Sequence, residues 1–215
     1  MSLKSFLFRQ FYRLRSVYYR CRGIEVGKNC IISGHPRFFR CRDSRIVIGD
    51  EVVLHSRIRY NTLIRLPMEL STVSPGAEIR IAAHCGLSGS QIICADKVSI
   101  GSYTIVGPDT VIYDCKEHEY DPQRGWLGRK GPHRKGKAIT IGKRCYIGMR
   151  CIILKGVTIG DDCVVAAGTL VNRDIPAGHL AMGNPATISP LPERLGGPGL
   201  ASVHQHSAPR CSELS

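Results

Sequence analysis

A strict period of six residues in the C-terminal half constrains the fold of this chain more than any other feature. Aliphatic side chains fall at Ile141, Ile147, Ile153, Ile159, Val165 and Val171, usually followed by a small residue: Gly142, Gly148, Gly160 and Ala166. A second run carries Ile100, Val106 and Ile112 with Gly101 and Gly107, and earlier fragments stand at Val26-Gly27, Ile48-Gly49, Ile81-Ala82 and Leu87-Ser88. An amphipathic helix needs apolar spacings of three and four, and a half-buried strand alternates with period two; neither yields six. The pattern fits a solenoid whose unit is one short strand and one corner. Three such units close a triangular coil of about 18 residues, so Ile141 is expected to stack on Ile159, Ile147 on Val165 and Ile153 on Val171. Successive coils would pair as parallel strands about 4.8 Å apart. Glycine is expected at the corners for positive φ or close backbone approach.

At 215 residues the chain is long enough for one domain with a sizeable core. No apolar stretch approaches the ~18 residues of a membrane-spanning helix and no secretory leader is recognisable, so a cytoplasmic location is expected. The ten cysteines are scattered without a CxxC pair and read as reduced thiols. Cys145, Cys151 and Cys163 each follow a repeat isoleucine by four residues, where a small apolar side chain is wanted; no metal site is expected from them. The net charge of +13 favours acidic partners such as anionic lipid or a phosphorylated cofactor. Nucleic acid is not expected, since no recognition motif is present and basic residues interleave with aromatics only in the first 22 positions.

The stretch from Ile139 to Ala186 resembles the closing coils of hexapeptide-repeat acyltransferases, and the resemblance extends back with gaps to about Gly23. It implies an all-β chain folded as a left-handed parallel β-helix, a homotrimer with active sites between subunits, and acetyl-CoA as donor. The expected organisation is a basic N-terminal segment 1–22 containing a short helix, the β-helix 23–188 with a protruding loop 114–137, and a Gly/Pro/Ser-rich disordered tail 189–215. Residues 1–22 combine aromatic and basic side chains, which suits either a helix capping the first coil or one lying peripherally on an anionic membrane.

Periodicity stops after Ile112 and resumes at about Ile139, and a loop this long in a compact solenoid is usually functional. In sugar, maltose and xenobiotic O-acetyltransferases a similar loop opens with an Asp, carries a catalytic His a few residues later, then Asp-Pro and Arg. Here Asp114, His118, Asp121-Pro122 and Arg124 match that order, while Glu119 stands where those enzymes usually have proline. The chemistry asks chiefly for a base, because an alcohol must lose its proton as it attacks a thioester. A neutral imidazole with an ordinary pKa of about 6.5 can take that proton near neutral pH.

His118 is therefore the candidate catalytic residue. Asp114, Glu117, Asp121, Arg124 and Trp126 are candidates for orienting it or binding the acceptor, with Glu119 a further acid beside the ring. For the cofactor, the resemblance implies Tyr146, where tryptophan is common, together with Met149, Ala167, Asn172 and Arg173. Thr187 follows Gly183-Asn184-Pro185-Ala186 where relatives often carry a basic residue, so a phosphate contact would come from Arg173, Arg150 or the basic loop. The expected activity is acetyl transfer to a hydroxyl of a sugar or glycan, free or lipid-linked, in surface polysaccharide or glycolipid assembly. Alternatives are N-acylation of an amino sugar, a non-catalytic scaffold, and a zinc hydratase in which His84 and His118 would need a third histidine.

Overall fold

The computed structural model describes residues 12, 14–57, 61–116, 118–128 and 135–192. The chain winds in triangular coils. The first is β1 (Glu25–Val26), β2 (Ile31–Gly34) and β3 (Arg37–Arg40); the second is β4 (Arg45–Ile48), β5 (Val53–Ser56) and β6 (Glu69–Thr72). The third is β7 (Glu78–Ile81), β8 (Gly86–Ser88) and β9 (Gln91–Cys94); the fourth is β10 (Lys97–Ile100), β11 (Ile105–Val106) and β12 (Val111–Tyr113). The chain then leaves the stack for an antiparallel hairpin of β13 (His118–Asp121) and β14 (Gly125–Gly128). It rejoins as β15 (Ile139–Ile141), β16 (Tyr146–Ile147) and β17 (Ile152–Leu154), followed by β18 (Thr158–Ile159), β19 (Val164–Val165) and β20 (Leu170–Val171). Finally β21 (His179–Met182) extends the second face, and β22 (Thr187–Pro190) folds back antiparallel upon it.

Strands at equivalent places in successive coils pair in parallel, making a first face (β1-β4-β7-β10-β15-β18), a second (β2-β5-β8-β11-β16-β19-β21-β22) and a third (β3-β6-β9-β12-β17-β20). The result is a left-handed parallel β-helix. The expected register holds: Ile141 pairs with Ile159, Ile147 with Val165 and Ile153 with Val171. The first-face column runs unbroken through Val26, Ile48, Ile81, Ile100, Ile141 and Ile159. All six are buried, each aliphatic covering the one beneath.

The repeat glycines serve close approach alone. Gly142 and Gly148 have ordinary negative φ, but an added Cβ would lie 2.6 Å from the Asp161 amide nitrogen or 2.5 Å from that of Ala167, in the coil above. Positive φ falls two residues later, on non-glycine residues of the first corner: Glu51, His84, Tyr103, Arg144 and Asp162. Each is held there by its own N–H, which donates to a carbonyl of the preceding coil, as from His84 to Asp50 at 2.9 Å and from Arg144 to Ser102 at 2.9 Å. That fixed bond offsets the steric cost of the left-handed conformation.

The cysteines prove to be more than small apolar fillers. The thiols of Cys85, Cys145 and Cys151 donate to the carbonyls of Gly101, Gly160 and Ala166, each at 3.1 Å. Thr104 and Thr110 make the same bond, at 2.8 Å, to Gly142 and Gly148. A corner carbonyl therefore needs a donor from the coil below, and Cys or Thr supplies it.

At the open end, a helix through residues 14–21 lies across the first coil and buries Ser16 and Tyr19. The Tyr19 ring meets Phe38 edge-on at 4.8 Å, and Arg20 donates to the carbonyls of Val26 and Gly27, both at 2.8 Å. These bonds satisfy edge groups that no earlier coil could reach. At the far end ordered pairing runs past the expected boundary at 188: β22 continues to Pro190, and the Leu191 amide donates to Gly178 at 2.9 Å. The remainder of the proposed tail, 193–215, lies outside the described residues.

Because the donor role and not thiol chemistry decides these positions, Cys85→Thr should leave stability nearly unchanged. Cys85→Ala, which strands the Gly101 carbonyl, should cost about 1–3 kcal/mol in denaturant unfolding. Burial pushes the Cys85 thiol up to about 11, so it should resist alkylation at neutral pH in the folded protein.

Candidate active site

The hairpin is rooted at the third corner, between the third face of one coil and the first face of the next. Asp114, the residue at which the chain departs, is fully buried. Its Oδ1 accepts the Ala95 amide at 2.6 Å and its Oδ2 the Asp96 amide at 2.9 Å. Its own amide donates to Ile93 at 3.2 Å, and its carbonyl accepts the returning Lys137 amide at 2.8 Å. Cys115 bridges Gly136 directly above, where a side chain would collide with Asp96. Both feet of the excursion are thus fastened to the coil beneath. The expectation that Asp114 contacts substrate or the catalytic ring gives way to a structural role, since both of its oxygens are committed to backbone amides.

Above this root the chain does not remain irregular, as its sequence suggested, but forms the hairpin, with His118 opposite Gly128 and Tyr120 opposite Trp126. His118 is the first residue of its strand and its side chain is exposed. Asp121 closes the tip: its Oδ1 accepts the amides of Gln123 and Arg124, both at 2.8 Å, and Gly125 completes the reversal with φ +74°. Three residues along a strand place Asp121 about 10 Å from His118 and on the opposite side of the ribbon. Asp121 therefore builds the turn and is not brought to the imidazole; Arg124 projects into solvent at the same tip. Glu117 lies outside the described residues, as do the side chains of Glu119 and Trp126.

The candidate cofactor residues divide between two corners. Met149, half-buried, and Ala167, exposed, stack at the second corner, joined by the Gly168 amide donating to the Met149 carbonyl at 2.8 Å. Gly107 and Gly148 lie beneath them, close against the coil above, and exposed Gly168 has open space where a side chain would stand. Tyr146 stands outward on the adjoining second face, 48 % exposed. Asn172 and Arg173 occupy the third corner, two coils beyond the hairpin root. Arg173 spends one guanidinium N–H on the Ala186 carbonyl at 2.9 Å, tying the last coil to the closing hairpin. Within one subunit, then, the root of the His118 hairpin and the Met149–Ala167 edge sit at opposite margins of the third face.

One element went unread in the sequence. Between β5 and β6 the chain makes a second excursion, of which residues 61–67 fold along the second corner. Ile64 is buried there, beside Gly89, and Asp109 Oδ1 accepts the amides of Arg65 at 3.0 Å and Leu66 at 3.2 Å. Leu63 and Leu66 remain about half exposed, on the corner that carries Met149 and Ala167 farther along. The long interval from Leu54 to Leu70, against a six-residue step elsewhere, was the available signal. His84 stands at the first corner, stacked on Tyr103 at 4.5 Å, away from the corner that bears His118. Among the described residues no three His, Cys, Asp or Glu side chains converge as metal ligands would.

Comparison with known proteins places this geometry in context. Residues 138–173 match the family model described as the hexapeptide repeat of succinyl-transferase. YvoF of Bacillus subtilis, named as an acetyltransferase, is 40% identical over 100 residues, which is 46% of this chain and 50% of that protein. WcaF of Escherichia coli K12, named as a colanic acid biosynthesis acetyltransferase, is 31% identical over 177 residues, covering 82% of this chain and 74% of WcaF. Among solved structures, a mutant of AntD, an N-acyltransferase from Bacillus cereus in complex with dTDP-4-amino-4,6-dideoxyglucose and coenzyme A, superposes with a TM-score of 0.64 at 15% identity, over 86% of this chain and 91% of that one. A β-helix of stacked hexapeptide units, interrupted by two excursions that leave at its corners and similar to WcaF along most of its length, belongs to the hexapeptide-repeat acyltransferase family.

Proposed function

We propose that this protein is an acetyl-CoA-dependent O-acetyltransferase acting on a hydroxyl of a sugar or glycan, with His118 as the catalytic base. The observation that carries this reading is the rooted hairpin. Asp114 and the Cys115–Gly136 bridge fasten both of its feet, while the His118 side chain stays exposed at its first position. A base presented from a clamped ribbon keeps its geometry without being desolvated by a core.

The donor supplies a thioester carbonyl with a good leaving group, so no covalent enzyme intermediate is needed. His118 takes the proton of the acceptor hydroxyl as that oxygen bonds to the carbonyl carbon. The imidazolium then gives the same proton to the sulfur as the carbon–sulfur bond breaks, leaving an acetyl ester and free CoA thiol. The second-corner edge, where exposed Ala167 and Gly168 carry little or no side chain, suits a narrow pantetheine arm, and backbone N–H groups there suit the developing oxyanion. Among the described basic residues, exposed Arg150 stands on that corner, whereas Arg173 lies across the third face at the third corner.

A homotrimer fits the surfaces. The outward side of the first face is laced with ion pairs, Arg45 with Glu25 at 2.9 Å and Arg80 with Glu78 at 3.2 Å, as a water-facing sheet should be. The outward side of the third face carries Ile93, Val111, Tyr113, Ile152, Leu154 and Leu170. Ile152 is 42 % exposed in the single chain, and such a stripe is expected to be covered by another copy. Packing on that face would bring the Met149–Ala167 edge of one copy toward the hairpin of the next. No helix among the described residues is long and apolar enough to cross a membrane. The outward side of the capping helix, with Leu14, Val17 and Tyr18, leaves room for contact with a membrane surface bearing a lipid-linked acceptor.

The reading is tested by free-thiol release from acetyl-CoA across sugars, amino sugars, lipid-linked glycans and serine. With the active hydroxyl acceptor, His118→Ala should lower turnover by about 10²–10⁴-fold while CoA affinity stays nearly constant. Unchanged turnover would remove His118 from the chemistry, and a preference for amino sugars would make the enzyme an N-acyltransferase. Asp114→Ala, which strands the buried Ala95 amide and the part-buried Asp96 amide, should cost about 1–3 kcal/mol of stability. It should also reduce kcat more than the KM for acetyl-CoA, because the hairpin and not the coil edge is loosened.

A further inference from the structure

We propose that Lys116, Lys137 and Lys155, gathered at the root of the hairpin, form a phosphate-binding site that receives the diphosphate of the acceptor. The inference rests on the acyl-transfer reading above and names its acceptor class: a sugar carried on a diphosphate, and not a free sugar.

The three lysines come from segments that the fold forces together. Lys116 lies on the outgoing foot, between buried Cys115 and the strand that opens with His118. Lys137 lies on the returning foot, fixed by its amide on Asp114 at 2.8 Å and by its carbonyl, which accepts the Gly156 amide at 2.9 Å. Its methylene stem crosses Gly156 so closely that a Cβ at that position would collide with Cδ and Cε. Lys155, half-buried, is the neighbouring residue on the next coil. Its ammonium is kept below the usual lysine range by burial, and then by the adjacent charges of Lys116 and Lys137.

Like charges are thus crowded with no counter-ion among the described residues. On the first face Arg45, Arg80 and Lys97 share Glu78, whereas among the described residues no carboxylate pairs with Lys116, Lys137 or Lys155. Asp114 commits both carboxylate oxygens to backbone amides, and Asp96, whose Cβ packs under Gly136, makes no ion pair with the described lysines. Lys135 is exposed on the same foot and adds to the positive field. Crowding of this kind is relieved by an anion of multiple charge, and ammonium groups are point donors suited to phosphate oxygens.

Position favours the acceptor over the donor as the source of that anion. Lys116 is two residues from His118, about 7 Å along the chain, comparable to the span of one hexose ring. A phosphate held at the root therefore leaves the attached sugar beside the imidazole. Within the same subunit the backbone edge suited to pantetheine lies across the third face, at the second corner; in the trimer the neighbouring copy's edge is the competing source of phosphate, which titration in the presence of CoA resolves.

The test is calorimetric titration of the full chain with inorganic pyrophosphate, with and without saturating CoA. Binding should persist when CoA is present. Lys155→Gln and Lys137→Gln, both surface substitutions, should each weaken it about tenfold, a loss of about 1.4 kcal/mol, and rising salt should weaken it further. The proposal is overturned if pyrophosphate does not bind, if neither variant alters binding, or if CoA abolishes it, since the lysines would then serve the donor. Because no acyl transfer is measured, a failed His118 assignment leaves this outcome untouched, and a failed phosphate site leaves that assignment standing.

Discussion

Everything in this molecule depends on the in-register stacking of one coil upon the next. A column such as Val26, Ile48, Ile81, Ile100, Ile141 and Ile159 is a continuous hydrophobic contact, and no coil could bury its aliphatic residues alone. The same stacking sets the backbone hydrogen bonds, because each corner amide or carbonyl finds its partner one coil away. It leaves only the corners free to vary, since a residue inserted within a strand would turn every following side chain to the wrong side. Both departures from the coil, the hairpin after Asp114 and the segment around Ile64, accordingly leave at corners, and each is pinned by an aspartate that accepts two backbone amides.

The fold was legible wherever this stacking repeats without interruption. From Ile139 onward the six-residue step is visible in the chain, and the pairings of Ile141, Ile147 and Ile153 follow from it directly. The first half was harder, because Leu54 and Leu70 belong to adjacent faces of one coil yet lie far apart in sequence. The hairpin was also opaque: His118–Asp121 mixes three titratable side chains with one aromatic, and such a segment shows no apolar alternation to mark a strand.

At the site, residue type misled where local geometry decides. Asp114 and Asp121 look like the partners an imidazole wants, but each accepts two amides within a few ångströms of its own backbone position, one at the root and one at the tip. Short acidic side chains compete well for such bonds. The lysine cluster was hidden for the opposite reason: Lys116 and Lys137 are legible only as members of a basic loop, Lys155 belongs to a different coil, and only the third corner brings the three together.

On the proposed reading the catalytic unit is not one chain, since the His118 hairpin and the Met149–Ala167 edge occupy opposite margins of the third face and a neighbouring copy must bring them together. The most direct measurement is subunit complementation. His118→Ala lacks the base, and Ala167→Trp would obstruct the backbone edge, so each should be inactive alone in thiol release from acetyl-CoA. Co-expressed, they should regain activity, because every mixed trimer contains one junction with an intact hairpin facing an intact edge. Mixed trimers as inactive as their parents would place hairpin and edge in the same subunit and contradict the account.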